Sequence, residues 1–571
     1  MVCITKTCMQ TCKQCKKQFN IDAQDQVFYK KMNVPEPTLC PDCRRQRRFA
    51  FRNERALYSR PCDLCKKTVV SFYSVSYPGK VYCQDCWWSD AWDSKTYGRV
   101  YDPSKSFFEQ FHELFLSVPQ LALINTKSEN AAFTAHSASN KNCYLLISAG
   151  FNEDCYYGFQ IVESRDVMDS TFARQSEIGY ELVDCDKMYN SRYCFKSEGC
   201  RDSAFLYDCH NCDNCFMSCN LRNKRYVYNN QQLTKEEYEK ELSAYHISSF
   251  KTAETLKKDF AIMLKNDAVH RFSDQIKCEQ STGDHLLNCK NCVQCFDVRN
   301  AEDCKYIVVS PVAIFDCYDT NYAIQGELFC DVLSNIGAAM DQAFCQYSWA
   351  SSRMQYCSYV MNSEDCFGCA SAKKAKYCIL NKQYTREEYE KLRGRIIEDM
   401  EARNEYGEFF LAALSPFGYN ETIANDEWPL TREEANTRGW KWSDEARGVR
   451  GKETKQWSDM PDDTAQTDES VCNEMFECRA CRKNYKIIKQ EFLFYKRHGV
   501  ALPRECFDCR HMARMRMRNP RKLWHRQCAC SLYGHGHHAD NQQCSNKFET
   551  TYAPERPEKV FCAECHLKET A

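Results

Sequence analysis

Two Cys-x-x-Cys pairs open this chain, Cys12 with Cys15 and Cys40 with Cys43. The same spacing returns near the other end as Cys478, Cys481, Cys506 and Cys509, each displaced by 466 residues. A Cys-x-x-Cys turn presents two thiolates on one knuckle, and a second knuckle across a hairpin supplies two more. Four thiolates at tetrahedral corners are the ligand set of a structural zinc site, closed to water and substrate. A second set follows the first, Cys62, Cys65, Cys83 and Cys86. Its counterpart is Cys528, Cys544, Cys562 and Cys565, with an insertion, Leu532 to Gln543, between the first two ligands. Cys530 is the alternative to Cys528, and His535, His537 and His538 in the insertion are possible substitutes. Four closed sites predict about four zinc ions per chain.

The second chemistry is charge. Arg44, Arg45, Arg47, Arg48, Arg52 and Arg55 follow the first ribbon with only Glu54 against them. Arg510, Arg514, Arg516, Arg518 and Arg521 repeat the run after the third, with no acidic residue among them. Phe49, Phe51, Tyr58 and Trp524 interleave. Guanidinium groups on a rigid knuckle suit phosphate and aromatic rings suit bases, so RNA, DNA or the ribosome is the expected partner. The competing reading has these arginines pair with the protein's own acidic surface. The net charge of −1 makes any such interface local rather than global.

A third pattern is Cys209-x2-Cys212-x2-Cys215-x3-Cys219, the spacing of a bacterial iron–sulfur motif, with Asn220 where that motif has proline. Cys289, Cys292 and Cys295 echo it. Extra zinc is the other metal such triplets could take. The preferred reading is structural and comes from the surrounding text. Between Asn142 and Cys378 there are 21 cysteines, eleven of them preceded by Asp or Asn. Steps of 12 or 13 residues recur, as in Cys292, Cys304, Cys317 and Cys330. A fixed step with polar corners predicts a β-solenoid, its coil one or two steps long. Cysteine is small enough to stack in a narrow interior, and Asp and Asn tolerate left-handed corners.

The elements that position these groups are duplicated. Asn230 to Lys240 recurs 151 residues later as Asn381 to Lys391, and Thr234 with Glu237, like Thr385 with Glu388, is a capping box that starts a helix. Each helix is expected to cover the open edge of a short solenoid. Phe107, Phe108, Phe111, Leu114 and Phe115 predict a helix after Pro103. Thr431 with Glu434 starts another, and Gly448 to Ser470, poor in apolar residues, reads as a mobile linker.

The fold expected is mainly β with a few helices: tandem zinc ribbons at both ends flanking a doubled cysteine-rich β-solenoid. The modules are residues 1–100 (double ribbon), 101–140 (helical connector), 141–250 (first solenoid with capping helix), 251–285 (helical connector), 286–400 (second solenoid with capping helix), 401–471 (connector and linker) and 472–571 (double ribbon). No nucleotide loop, nucleophile elbow or metalloprotease motif occurs, so a non-enzymatic binding protein is expected. Its 41 cysteines without an export signal or an apolar run of about 18 residues point to the cytoplasm, with no membrane partner. A protein bound on the solenoid face is the alternative partner.

The arrangement resembles a family of uncharacterised bacterial proteins with several zinc ribbons and a β-solenoid, found in reduced-genome lineages. The phrases that carry the likeness are Cys40-Pro41-Asp42-Cys43-Arg44-Arg45-Gln46-Arg47, Lys80-Val81-Tyr82-Cys83-Gln84-Asp85-Cys86-Trp87-Trp88, Asn142-Cys143-Tyr144-Leu145, Asn381-Lys382-Gln383 and Ser415-Pro416-Phe417-Gly418-Tyr419-Asn420. The resemblance implies the architecture and no particular activity.

Overall fold

A computed structural model describes residues 8–323, 326–334, 337–445, 448–532, 534–539 and 541–570. Its centre is two parallel β-solenoids. Strand partners lie 12 residues apart, as in Lys141 with Glu129, Thr171 with Val183 and Ser352 with Glu364. A few coils in the second solenoid take 13, as in Ala301 with Ile314 and Phe329 with Gln342. The coil is therefore one step long.

The backbone explains the period. From Lys127 to Asn229 nearly every third residue is left-handed, for example Asn142, Leu145, Ser148, Phe151 and Asp154. Each coil is a square of four three-residue sides. The residue after each left-handed corner points inward: Cys143, Leu146, Ala149, Cys155 and Ile161 are all buried in one narrow column. This is why Asp and Asn so often precede cysteine. A left-handed non-glycine residue costs roughly 1–2 kcal/mol in an isolated chain. Here each corner amide donates to a carbonyl of the coil below, as Leu145 to Ala132 at 3.0 Å and Asp154 to Lys141 at 3.1 Å, which offsets that cost. Corner side chains add a ladder of their own, with the Asn130 amide donating to Asn142 and that of Asn288 to Asn300.

The interior thiols hydrogen-bond to the backbone. Cys200, Cys209 and Cys212 donate to backbone carbonyls at 3.3–3.4 Å. Burial pushes the Cys194 thiol up to about 12. Cys304 and Cys317 stand in the second column. Cys330, expected on the same ladder, lies instead on the outer face among aromatic residues under the N-terminal ribbon, because the left-handed corner is Asp331, the residue after it.

Each solenoid ends in an antiparallel hairpin, Val227 with Gln232 and Cys378 with Gln383. Helices Lys235–Leu242 and Arg386–Ala402 follow, both with the expected capping boxes. The helix Phe107–Ser117 buries Phe107, Phe108, Phe111, Leu114 and Phe115. Thr431 caps Arg432–Thr437. The stretch read as a mobile linker makes defined contacts. Trp457 stacks on Phe476 with ring centroids 4.1 Å apart, and the Phe250 amide donates to the Asp462 carbonyl. One aromatic ring and a few polar contacts hold it where apolar content is low.

Candidate metal centres

Each predicted ribbon is a short hairpin turning around its first pair of cysteines. The hairpins are Cys8–Thr11 with Gln18–Ile21, Tyr58–Pro61 with Thr68–Ser71, Phe476–Glu477 with Asn484–Tyr485, and Trp524–Gln527 with Lys547–Thr550. In the first three the residue after the second cysteine, Lys16, Lys66 or Arg482, is left-handed and closes the knuckle by donating its amide to the first cysteine's carbonyl at 2.9–3.0 Å. The second pair of cysteines opens a helix: Cys40 and Cys506 immediately precede Pro41–Phe49 and Phe507–Met517, and Cys83 precedes Gln84–Trp88. A helix N-terminus favours a thiolate, since its free amides point at the sulfur. The Cys40 thiol is held below its ordinary range, first by the Cys43 thiol donating to it and then by the Cys43 amide.

The structure brings together Cys12, Cys15, Cys40 and Cys43; Cys62, Cys65, Cys83 and Cys86; Cys478, Cys481, Cys506 and Cys509; and Cys528, Cys544, Cys562 and Cys565, with sulfur atoms within 4.8 Å of one another in each set. The sulfurs of Cys15 and Cys40, of Cys65 and Cys83, and of Cys481 and Cys506 stand 3.7–3.8 Å apart. A tetrahedral ion with metal–sulfur bonds near 2.3 Å requires sulfurs about 3.8 Å apart. In each set the amide of the third cysteine reaches the first cysteine's sulfur at 3.2–3.3 Å, a hydrogen bond that holds thiolate charge. These groups can hold metal ions, and no disulfide links the described cysteines. Cys530 stands outside the fourth set, its sulfur 3.4 Å from His535 Nδ1.

The four cysteines of the iron–sulfur spacing do not all converge. Cys209, Cys212 and Cys215 occupy successive inward positions of one coil, while Cys219 packs outside it among aromatic rings. The three-residue side of the square coil reproduces the motif's x2 spacing.

Most arginines of the two runs pair within the chain. Arg44 pairs with Asp319 at 2.7 Å, Arg47 with Asp331 at 2.8 Å and Glu408 at 2.5 Å, and Arg48 with Asp331. Arg52 pairs with Glu54 at 2.6 Å and lies over the Tyr322 ring. Arg45 reaches the Arg521 carbonyl, and Arg55 pairs with Asp426. At the other end Arg510 and Arg514 share Asp169 at 3.0 and 3.1 Å, Arg518 pairs with Asp184 at 2.9 Å, and Arg521 with Asp297 at 3.0 Å. Arg48 and Arg52 are at most 1% exposed. Arg516 is the one exposed member of the two runs. Phe49 and Phe51 are buried too. The runs expected to meet nucleic acid face inward because the solenoid corners offer carboxylates at matching places: Asp169, Asp184, Asp297, Asp319 and Asp331 are all left-handed corner residues. The N-terminal ribbon thus clasps the second solenoid, while the C-terminal ribbon clasps the first through Asp169 and Asp184 and reaches the second at Asp297. Even the local geometry is copied, with Arg44 donating to the Leu39 carbonyl and Arg510 to the Glu505 carbonyl.

Between the solenoids runs a cleft of about 800 Å³ that also touches the last helix, Ala563–Thr570. Arg174 and Arg271 line it and have no carboxylate partner among the described residues, whereas Arg299 pairs with Asp186 at 2.8 Å. Burial and the nearby Arg299 hold the Arg174 pKa down. No described helix is long and apolar enough to cross a membrane.

No family model matches the chain, and neither does any curated protein. Among solved structures, one from Desulfovibrio desulfuricans G20 described as a "putative acetyltransferase" aligns at 9% identity, covering 46% of this chain and 69% of that one with a TM-score of 0.12, a likeness too slight to carry an argument.

Proposed function

We propose that this chain is a zinc-clasped β-solenoid scaffold, a non-enzymatic binding protein of a reducing compartment such as the cytoplasm. All-thiolate sets with sulfurs 3.7–3.8 Å apart favour zinc and leave no open coordination position for chemistry. The observation that carries the reading is the inward pairing of both arginine runs. It makes the ribbons architectural, since each metal rigidifies a helix whose guanidinium groups pin it to a solenoid. Recognition then falls to the solenoids, and the cleft, where Arg174 and Arg271 have no carboxylate in salt-bridge contact among the described residues, suits an acidic segment of a partner protein.

The test is capture from a cell extract by the metal-loaded full chain, with and without nuclease. A protein that survives nuclease and is lost with Arg174→Glu/Arg271→Glu supports the reading. Capture that nuclease abolishes, with binding to single-stranded RNA that falls steeply as salt rises, would overturn it in favour of nucleic acid. Elemental analysis that finds iron in place of zinc would overturn the metal's identity.

A further inference from the structure

The C-terminal end holds more ligands than its ribbon uses. Cys565 belongs to the set with Cys528, Cys544 and Cys562, and it also belongs to a second set, Cys530, His535, His538 and Cys565, whose ligand atoms again lie within 4.8 Å of one another. Cys530, Cys565 and His535 are at most 4% exposed.

The hydrogen bonds around this second set select ligating tautomers. His535 Nε2 lies 2.8 Å from Glu569 Oε1, so that nitrogen carries the proton. Its Nδ1, 3.4 Å from the Cys530 sulfur, keeps the lone pair. A carboxylate behind a histidine is the arrangement that orients metal-bound imidazole. His538 Nδ1 lies 3.0 Å from the Ala539 carbonyl and must donate to it. That leaves the lone pair on His538 Nε2, a buried atom with no hydrogen-bond partner. A buried polar nitrogen without a partner costs free energy unless something absent from the protein itself satisfies it. Gly536, left-handed at φ +66°, lets the chain fold back so that histidines on either side reach one point.

We infer that the C-terminal ribbon is binuclear: a second ion binds Cys530, His535, His538 and Cys565, and the Cys565 thiolate bridges it to the ion of the four-cysteine site. A thiolate sulfur has lone pairs enough for two ions. Two thiolates and two imidazoles are a set that zinc accepts. His537 takes a different part. Its Nδ1 donates to the His535 carbonyl at 2.7 Å, and its Nε2 stands 3.1 Å from the Cys565 sulfur, beside the bridge and outside the second set. The N-terminal ribbon at Cys62 and Cys65 has no insertion and so no such second site.

The inference rests on reading the ribbon sets as metal sites, and the experiment separates the two. The full chain is loaded with Zn²⁺ alone and its metal counted, then loaded with Co²⁺ and examined by electron paramagnetic resonance. About five zinc ions per chain are expected, against about four for the ribbons alone. The bridge should couple two Co²⁺ ions and depress the signal below that of five isolated ones. His535→Ala/His538→Ala should lose about one ion and restore uncoupled Co²⁺, while His537→Ala keeps both the count and the coupling. A wild-type count near four overturns the second site and leaves the ribbon reading standing. A count near zero overturns both. A count near five without coupling overturns the bridge, and loss of an ion with His537→Ala overturns His538 as the ligand. The wild-type measurements need no variant to fold.

Discussion

Asp169→Asn isolates the charge that docks the C-terminal helix. Asp169 is fully buried, sits at a left-handed corner, and accepts from Arg510 and Arg514 at 3.0 and 3.1 Å. Asparagine has the same shape and tolerates the same backbone, so the coil survives. Arg510 keeps Glu491 at 3.0 Å. Arg514 keeps only Thr171 Oγ1 and the Tyr157 carbonyl, both at 3.2 Å, and no carboxylate. Stranding a buried charge costs about 3–5 kcal/mol, and the polar contacts that remain put this case near 3 kcal/mol. At 1.4 kcal/mol per decade, the helix Phe507–Met517 should open roughly a hundredfold more often. Hydrogen exchange followed by mass spectrometry reads this on a peptide spanning that helix. The duplicate helix Pro41–Phe49 docks through Asp319 and should not change. Asp319→Asn should give the mirror result. If both helices exchange within about threefold of the wild type in both variants, the carboxylates do not carry the docking, and the clasp argument fails.

Stripping the metal under reducing conditions should release the ribbons first, since each site contributes on the order of 10 kcal/mol to segments too small to fold by burial alone; fast exchange confined to residues 8–86 and 478–565 with the solenoids still protected is the expected pattern. Cys304 and Cys317, fully buried, should resist alkylation without denaturant, whereas exposed Cys8 reacts at once; equal rates would remove the interior column. His270 provides a pH test. Burial holds its pKa down to about 4 from 6.5, with Lys196 adding to the effect, and Tyr207 OH contacts its Nδ1 at 2.6 Å. Because the unfolded imidazole takes up a proton first, this contribution is complete above pH 6.5 and is lost as pH falls toward 4, by roughly 3 kcal/mol in all. His270→Gln should flatten that part of the stability profile, and a variant as acid-sensitive as the wild type would show that the buried imidazole is not responsible.

The four cysteine sets of the ribbons were legible in the sequence because a knuckle is local. Cys12 and Cys15, or Cys478 and Cys481, are fixed by one turn, and the 466-residue repeat excluded chance. The solenoid period was legible too, because each coil contacts only its neighbours, so the fold repeats at the spacing of the text. Its three-residue sides were not. Tyr157, Phe172 and Tyr193 stand at left-handed corners, and nothing in an aromatic residue announces that conformation; only the carbonyl of the coil below makes it affordable. Cys330 was misplaced for the same reason, since a step of 13 residues does not say which residue of a side turns inward. The arginines mark the firmest limit. A basic run has the same sequence whether it awaits phosphate or is already neutralised, and the carboxylates that meet Arg44 and Arg510 lie 275 and 341 residues away. Which ligand completes the fourth ribbon was likewise left open between Cys528 and Cys530, because the insertion that carries His535 and His538 returns to Cys565 only in three dimensions. Local stereochemistry is written in the spacing of residues. Desolvation and long-range pairing depend on what the folded chain places opposite each group, and that the tertiary structure decides.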